Sequence, residues 1–273
     1  MDYPSHVYLS LSPEAENPND VNKSLLKELP ACESELFFTA EQTEQGCIST
    51  VSRDPRELQF VINQTAEVCK AAILVEPLAL QFVREQTYGI CMLAINLNPW
   101  SLEFVRNQSP GLCATAIQFR PDTLQLVRRQ TEELCWEAIK RETSTLRYVR
   151  NQLEEMCLFV LTYTGNELRH VRTQTEEMCL LAVHENGRAL EFVHRQTPLI
   201  CSEAIRRNPL ALQFVKEQTE ELCLLAVELA GVCLKYVRKQ TLKICEAAVS
   251  RNPKAINYVE GSLKEVVMTK IGK

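Results

Sequence analysis

A glutamine returns every 22 residues along this chain, at Gln42, Gln64, Gln86, Gln108, Gln130, Gln152, Gln174, Gln196, Gln218 and Gln240, without an insertion or deletion. Five residues after each stands a cysteine, from Cys47 to Cys245. A fixed period in this range is the signature of a solenoid, whose units contact chiefly their neighbours and cannot bury a core alone. A further, degenerate copy follows, with Ser262 in the Gln slot and Val267 in the Cys slot.

Other positions keep the same frame. Six before each Gln is Leu, becoming Ile256 in the last copy. Four before it is an aromatic residue in nine of eleven copies, and three before it is Val in all but the first. After the Gln comes Thr in eight of ten copies, Ser109 and Leu153 being the exceptions. Apolar residues resume at four, five, eight and nine past the Gln, as in Leu222, Cys223, Ala226 and Val227. At 3.6 residues per turn these share one face of an amphipathic helix. Thr219 is its N-cap, and Glu220 and Glu221 suit the positive end of the helix dipole.

The preceding half, from Asn208 through Pro209 to Gln218, offers a capping Asn, Pro at the first helical position and apolar Ala211, Leu212, Phe214 and Val215. It predicts a second helix of about nine or ten residues, closed by the Gln. The expected fold is therefore all-α: an α-solenoid of about eleven stacked two-helix units forming one elongated domain. Residues 1–30 read as an irregular leader ending in a short capping helix, 31–251 as ten repeats and 252–273 as a degenerate C-terminal cap.

A net charge of −5 argues against general nucleic-acid binding. No apolar run approaches membrane-spanning length, and the N-terminus lacks a basic-then-apolar export pattern. The expectation is a soluble cytoplasmic protein.

Twelve cysteines could suggest disulfides, but equivalent residues of stacked units should lie about 8–10 Å apart, beyond bridging range. Nor does any pair have zinc-site spacing. Each Cys of the repeat, and Cys233 in a slot that elsewhere holds Ala, reads as a small apolar residue at a tight contact; Cys32 lies in less regular surroundings. Ten equivalent copies make a single catalytic thiol implausible, and no phosphate-loop, H-E-x-x-H or G-x-S-x-G motif is present. No enzyme, cofactor or metal site is expected. The Gln should pair backbone groups left open between the two helices, or join the next Gln in a ladder, so that Gln152→Leu would cost about 1–3 kcal/mol.

Two surface columns remain. Arg84, Arg106, Arg128, Arg150, Arg172, His194, Lys216 and Arg238 form a basic line two residues before the Gln. It is either a groove for an acidic partner, or cations at helix ends bridged to the acids that open the second helices, Glu132, Glu133, Glu154, Glu155, Glu176, Glu177, Glu220 and Glu221. Six and seven past the Gln lie Met92, Leu93, Trp136, Leu158, Phe159, Leu180, Leu181, Leu224 and Leu225, in slots that accept Lys70, Ser202, Glu203 and Glu246 elsewhere. Trp136 to Leu225 are the candidate partner-binding patch, the alternative being a thicker core or an interface with the first helices. His170, in the aromatic slot, reads as a hydrogen-bonded core residue.

The unit L-x-F-V-x-x-Q-T-x-x-L-C-x-x-A-V, spanning Leu212 to Val227, resembles a repeat of unknown function abundant in giant viruses of amoebae. The resemblance covers residues 31 to about 271 and transfers no activity, cofactor or catalytic residue. It implies a viral or host-associated origin, and hence an infected-cell cytoplasm or the virion. Two functions follow as expectations: an interaction scaffold for another protein, and a structural component of a viral particle.

Overall fold

The computed structural model describes residues 41–271. Over that span the chain is an all-α solenoid in which α-helices of ten residues alternate with 3-10 helices of six, closed by Gly261–Ile271; no strand occurs among the described residues. The expected leader helix and Cys32 lie outside the described residues.

The second half of each unit forms as its sequence predicts. In Glu220–Leu229 the Thr219 hydroxyl accepts from the Leu222 N–H, and Leu222, Cys223, Ala226 and Val227 are buried. Leu153, which cannot cap, heads Glu154–Tyr163 without a side-chain hydrogen bond.

The first half differs from expectation. It is a 3-10 helix that stops at the aromatic slot, as in Pro209–Phe214, and the following Val215 is extended. Ala211 N–H donates to Asn208 O at 2.8 Å and Val215 N–H to Leu212 O at 3.2 Å, both closing three-residue turns. Side chains three apart eclipse on such a helix, which places Leu212 and Val215 together on the core side. The helix cannot lengthen toward Gln218 because the preceding unit's Gln196 holds the Phe214 carbonyl and the Lys216 N–H. The Gln therefore ends the first helix of the next unit from outside, and Gln196 Nε2 also bonds the Leu190 carbonyl in the last turn of its own.

A single extended residue joins the two helix types. Asn208 ends Pro198–Arg207, donating its N–H to Ala204 O, and caps the 3-10 helix through its side chain, which accepts from Leu210 N–H at 3.0 Å. The next residue is Pro in most units. Where it is Gly187, an added Cβ would lie 2.5 Å from Ala204 O on the following α-helix, whereas at Gly89 nothing stands within 4 Å. Gly187→Ala is accordingly expected to destabilise by about 1–3 kcal/mol through overpacking, and Gly89→Ala to stabilise by up to about 1 kcal/mol through helix propensity. Urea midpoints of the two variants should move in opposite directions; a shift of the same sign would overturn the packing assignment.

Candidate interaction surface

The glutamine carboxamide behaves as an extra peptide group inserted between units. Gln64 Nε2 donates to Leu58 O of its own unit at 2.7 Å and to Phe82 O of the next at 3.0 Å, while its Oε1 accepts from Arg84 N–H at 2.8 Å. Gln130 repeats this with Leu124 O, Tyr148 O and Arg150 N–H, and Gln218 with Leu212 O, Tyr236 O and Arg238 N–H. The pairing with backbone is as anticipated, but it reaches across the junction, and no Gln pairs with another Gln in a ladder. Gln240 holds the last unit through Tyr258 O and Glu260 N–H. Ser262 then occupies the slot, with a side chain too short to make the same bridge.

The basic line is engaged with backbone as well. Arg84 Nη1 donates to Ile62 O at 2.8 Å, Arg106 to Arg84 O at 2.6 Å, Arg128 to Arg106 O at 2.8 Å and Arg150 to Arg128 O at 2.7 Å. Arg172 donates to Arg150 O, Lys216 Nζ to His194 O at 2.8 Å and Arg238 to Lys216 O at 2.8 Å. Each cation thus rests on the carbonyl of the equivalent residue one unit earlier. Bridges from this line to the acids of the α-helices, one of the expectations, are absent among the described residues; ion pairs such as Arg141–Glu137 and Arg207–Glu203 lie elsewhere. Glu133 and Glu221 instead turn back on their own helices. Each carboxyl is held below its usual range first by its own backbone N–H and then by the hydroxyl of Thr131 or Thr219.

Between successive units these groups line recurrent notches. One of about 400 Å³ is bounded by Gln174, Glu176, Cys179, His194 and Arg195, and one of about 330 Å³ by Gln218, Glu220, Cys223, Arg238 and Lys239. Cation and carboxylate share each notch, which is poor complementarity for a phosphate backbone. No group of three or more metal-ligating side chains occurs among the described residues. No helix there is long and apolar enough to cross a membrane.

The cysteines are core. All eleven described are free and buried, and burial pushes every thiol above its ordinary value, Cys233 to about 11. Several lie against the Gln oxygen, as Cys179 Sγ does to Gln174 Oε1 at 3.6 Å. A protonated, enclosed thiol is the opposite of an activated nucleophile. His170 is half-buried; its carbonyl accepts from Gln152, and its ring lies 3.8 Å from the buried Glu167 carboxylate. Desolvation is the main cause lowering its pKa, outweighing that carboxylate.

The apolar column is half-buried on the α-helices, against the core. Trp136 meets Phe159 of the next unit edge-on, ring centroids 5.6 Å apart, and Phe159 meets Tyr163 at 5.2 Å. Leu158, Leu180, Leu181, Leu224 and Leu225 are likewise half-buried against the core. Glu132–Arg141 and Glu154–Tyr163, which the Trp136–Phe159 ring pair joins, approach each other least closely of the successive α-helices.

A further apolar column escaped the sequence reading. Eleven past the Gln, at the ends of the α-helices, Val75, Leu97, Phe119, Tyr163 and Leu229 are 52%, 48%, 56%, 65% and 41% exposed. The available signal was that Arg53, Arg141, Arg207 and Arg251 fill the same slot in other units. A slot that accepts arginine does not need a hydrophobic side chain for the core.

Comparison of the chain with protein-family models, curated proteins and solved structures finds no match.

Proposed function

We propose that the protein is a non-enzymatic scaffold that binds another protein along the outer side of its α-helices between Trp136 and Leu225. The observation that supports this most is the aromatic run Trp136, Phe159, Tyr163, which passes from half-buried to 65% exposed at Tyr163 without meeting a covering element among the described residues. Aromatic side chains of this kind, rigid and partly desolvated, are typical anchors of protein interfaces. The basic line supports a binding role less, because its cations already serve the backbone.

The test is affinity capture from infected cells, the source that the giant-virus resemblance suggests, with wild type and a Trp136→Ala, Phe159→Ala, Leu181→Ala variant that retains its helical circular dichroism. A specific partner lost by the variant supports the reading. A partner held equally well by both excludes this patch, and recovery of the protein only in purified particles, with no partner captured, favours the structural role.

A further inference from the structure

In the units from Gln152 to Gln240 the 3-10 helix buries the slots seven, six and three before the Gln and leaves those eight, five and four before it at least partly exposed. From Thr143 onward these outward slots collect cations. Arg147, Arg169 and Lys235 stand five before the Gln, Arg188 stands eight before it, and Lys254 holds the Arg188 slot in the last unit; all are exposed. Glu191 is the one acid in the slots eight and five before the Gln over that stretch, whereas the earlier units carry Gln59, Gln81, Glu103, Asp122 and Gln125 there. The cations rest on the aromatic slot. Arg147 lies 4.7 Å from the Tyr148 ring centre and Lys235 4.6 Å from that of Tyr236, while Arg169 and Arg188 reach across a junction to Phe192 at 5.9 Å and Phe214 at 6.0 Å. Among the described residues no carboxylate pairs with Arg147, Arg188, Lys235 or Lys254, and Arg169 meets only the buried Glu167, at 3.7 Å. The result is a strip along the solenoid with one cation per unit, interrupted only at Gln213.

We infer that this strip docks an acidic polypeptide segment in polyproline-like form, with a carboxylate at every third residue. Charge selects the sign of the partner. Unlike the basic line, whose cations already serve backbone carbonyls, these side chains donate to no carbonyl and leave their charge open to a complementary anion. Spacing selects the form. Packed helices repeat at about 8–10 Å, and one three-residue turn of polyproline II advances about 9.3 Å, so carboxylates three apart stay in step with successive cations. A β-extended chain places same-side residues about 6–7 Å apart and falls out of step. A single-stranded nucleic acid would stack its bases on the rings, yet the protein's own cations already sit over Tyr148, Phe192, Phe214 and Tyr236, and a net charge of −5 repels a long polyanion. The strip lies on the 3-10 helices, apart from the α-helical patch around Trp136, so either assignment can fail without the other.

Fluorescence anisotropy of the full chain with a labelled peptide of five Glu-Pro-Ala triplets tests it. Wild type should bind, and added salt should weaken the binding because the cations are exposed. An Arg147→Gln, Arg169→Gln, Lys235→Gln variant should bind about tenfold more weakly while keeping wild-type circular dichroism. An Arg188→Gln, Lys254→Gln variant, altered in other units, should also bind more weakly and serves as a second route if the first misfolds. A peptide of the same composition with its glutamates in one block should bind less tightly, because the register is lost. Wild type that does not bind the triplet peptide, or variants that bind it as wild type does, overturn the proposal. Equal or tighter binding of the block peptide overturns the register, and tighter binding of an oligouridylate than of the triplet peptide overturns the choice of a polypeptide. The Trp136, Phe159, Leu181 alanine variant should bind the triplet peptide as wild type does.

Discussion

Gln152→Leu is expected to lower stability by about 3 kcal/mol and to divide unfolding into two transitions. The side chain donates to Leu146 O at 3.1 Å and His170 O at 2.8 Å and accepts from Arg172 N–H at 3.0 Å. Leucine fills a similar volume but leaves His170 O and Arg172 N–H of the next unit without their partner, while Leu146 O keeps its bond from Val149 N–H. Each orphaned group costs about 1–3 kcal/mol if fully buried, and partial access of water brings the sum toward the lower end. Because a solenoid's energy is roughly a sum of units and nearest-neighbour interfaces, weakening one interface uncouples the blocks on either side. The α-helix that follows Gln152 already lacks the usual threonine cap, Leu153 standing in its place.

Gln152→Glu separates hydrogen bonding from shape. Its carboxylate could still accept from Arg172 N–H, but it would face the two carbonyls with no proton to donate. It should therefore destabilise at least as much as leucine at neutral pH and recover in part when acid protonates it. Urea unfolding followed by circular dichroism reads both variants. A Gln152→Leu curve that overlays wild type would show that the carboxamide does not hold the units together.

Much of the fold was legible because it depends on local pattern. The period, the α-helix after each Gln, its Thr cap and the buried set at Leu222, Cys223, Ala226 and Val227 require only 3.6-residue periodicity and capping chemistry. What escaped was non-local. The 3-10 helix Pro209–Phe214 ends where it does because Gln196, in the preceding unit, takes the Phe214 carbonyl and the Lys216 N–H. No window confined to residues 208–218 contains that competitor. A hint was present in the three-residue spacing of Leu212 and Val215, which a 3-10 helix satisfies.

The surface was harder to read for the same reason. An arginine column reads as a groove until its acceptors are known, and those acceptors are carbonyls one unit earlier, as Arg128 O is for Arg150. Backbone oxygens have no letter in a sequence. The apolar edge at Leu97 and Phe119 could have been found by asking which slots the frame leaves free to carry charge, and then where charge is missing. The half-buried patch from Trp136 to Leu225 was found by that question, asked of a different column.

Alkaline pH is expected to unfold this protein well before it would unfold a comparable solenoid without buried thiols. Every described cysteine is held protonated by burial, above its ordinary value, and Cys233 reaches about 11. In the unfolded chain the same thiols ionise near about 8.5. The folded state therefore binds more protons than the unfolded state above that pH, and stability falls as pH rises. The contribution is fully present below about pH 8 and is lost progressively as pH climbs through the folded values. Each thiol ionised only in the unfolded chain contributes a slope of roughly 1.4 kcal/mol per pH unit. The eleven described thiols all act in this direction, Cys233 most strongly. Urea midpoints across the range from neutral to about pH 10 should fall steeply once the thiol range is entered. Replacing Cys135, Cys157 and Cys179 by alanine should flatten that fall, because alanine is a small apolar residue without a titrating proton. A midpoint insensitive to pH, or a slope unchanged in the triple variant, would show that the thiols do not carry the alkaline response.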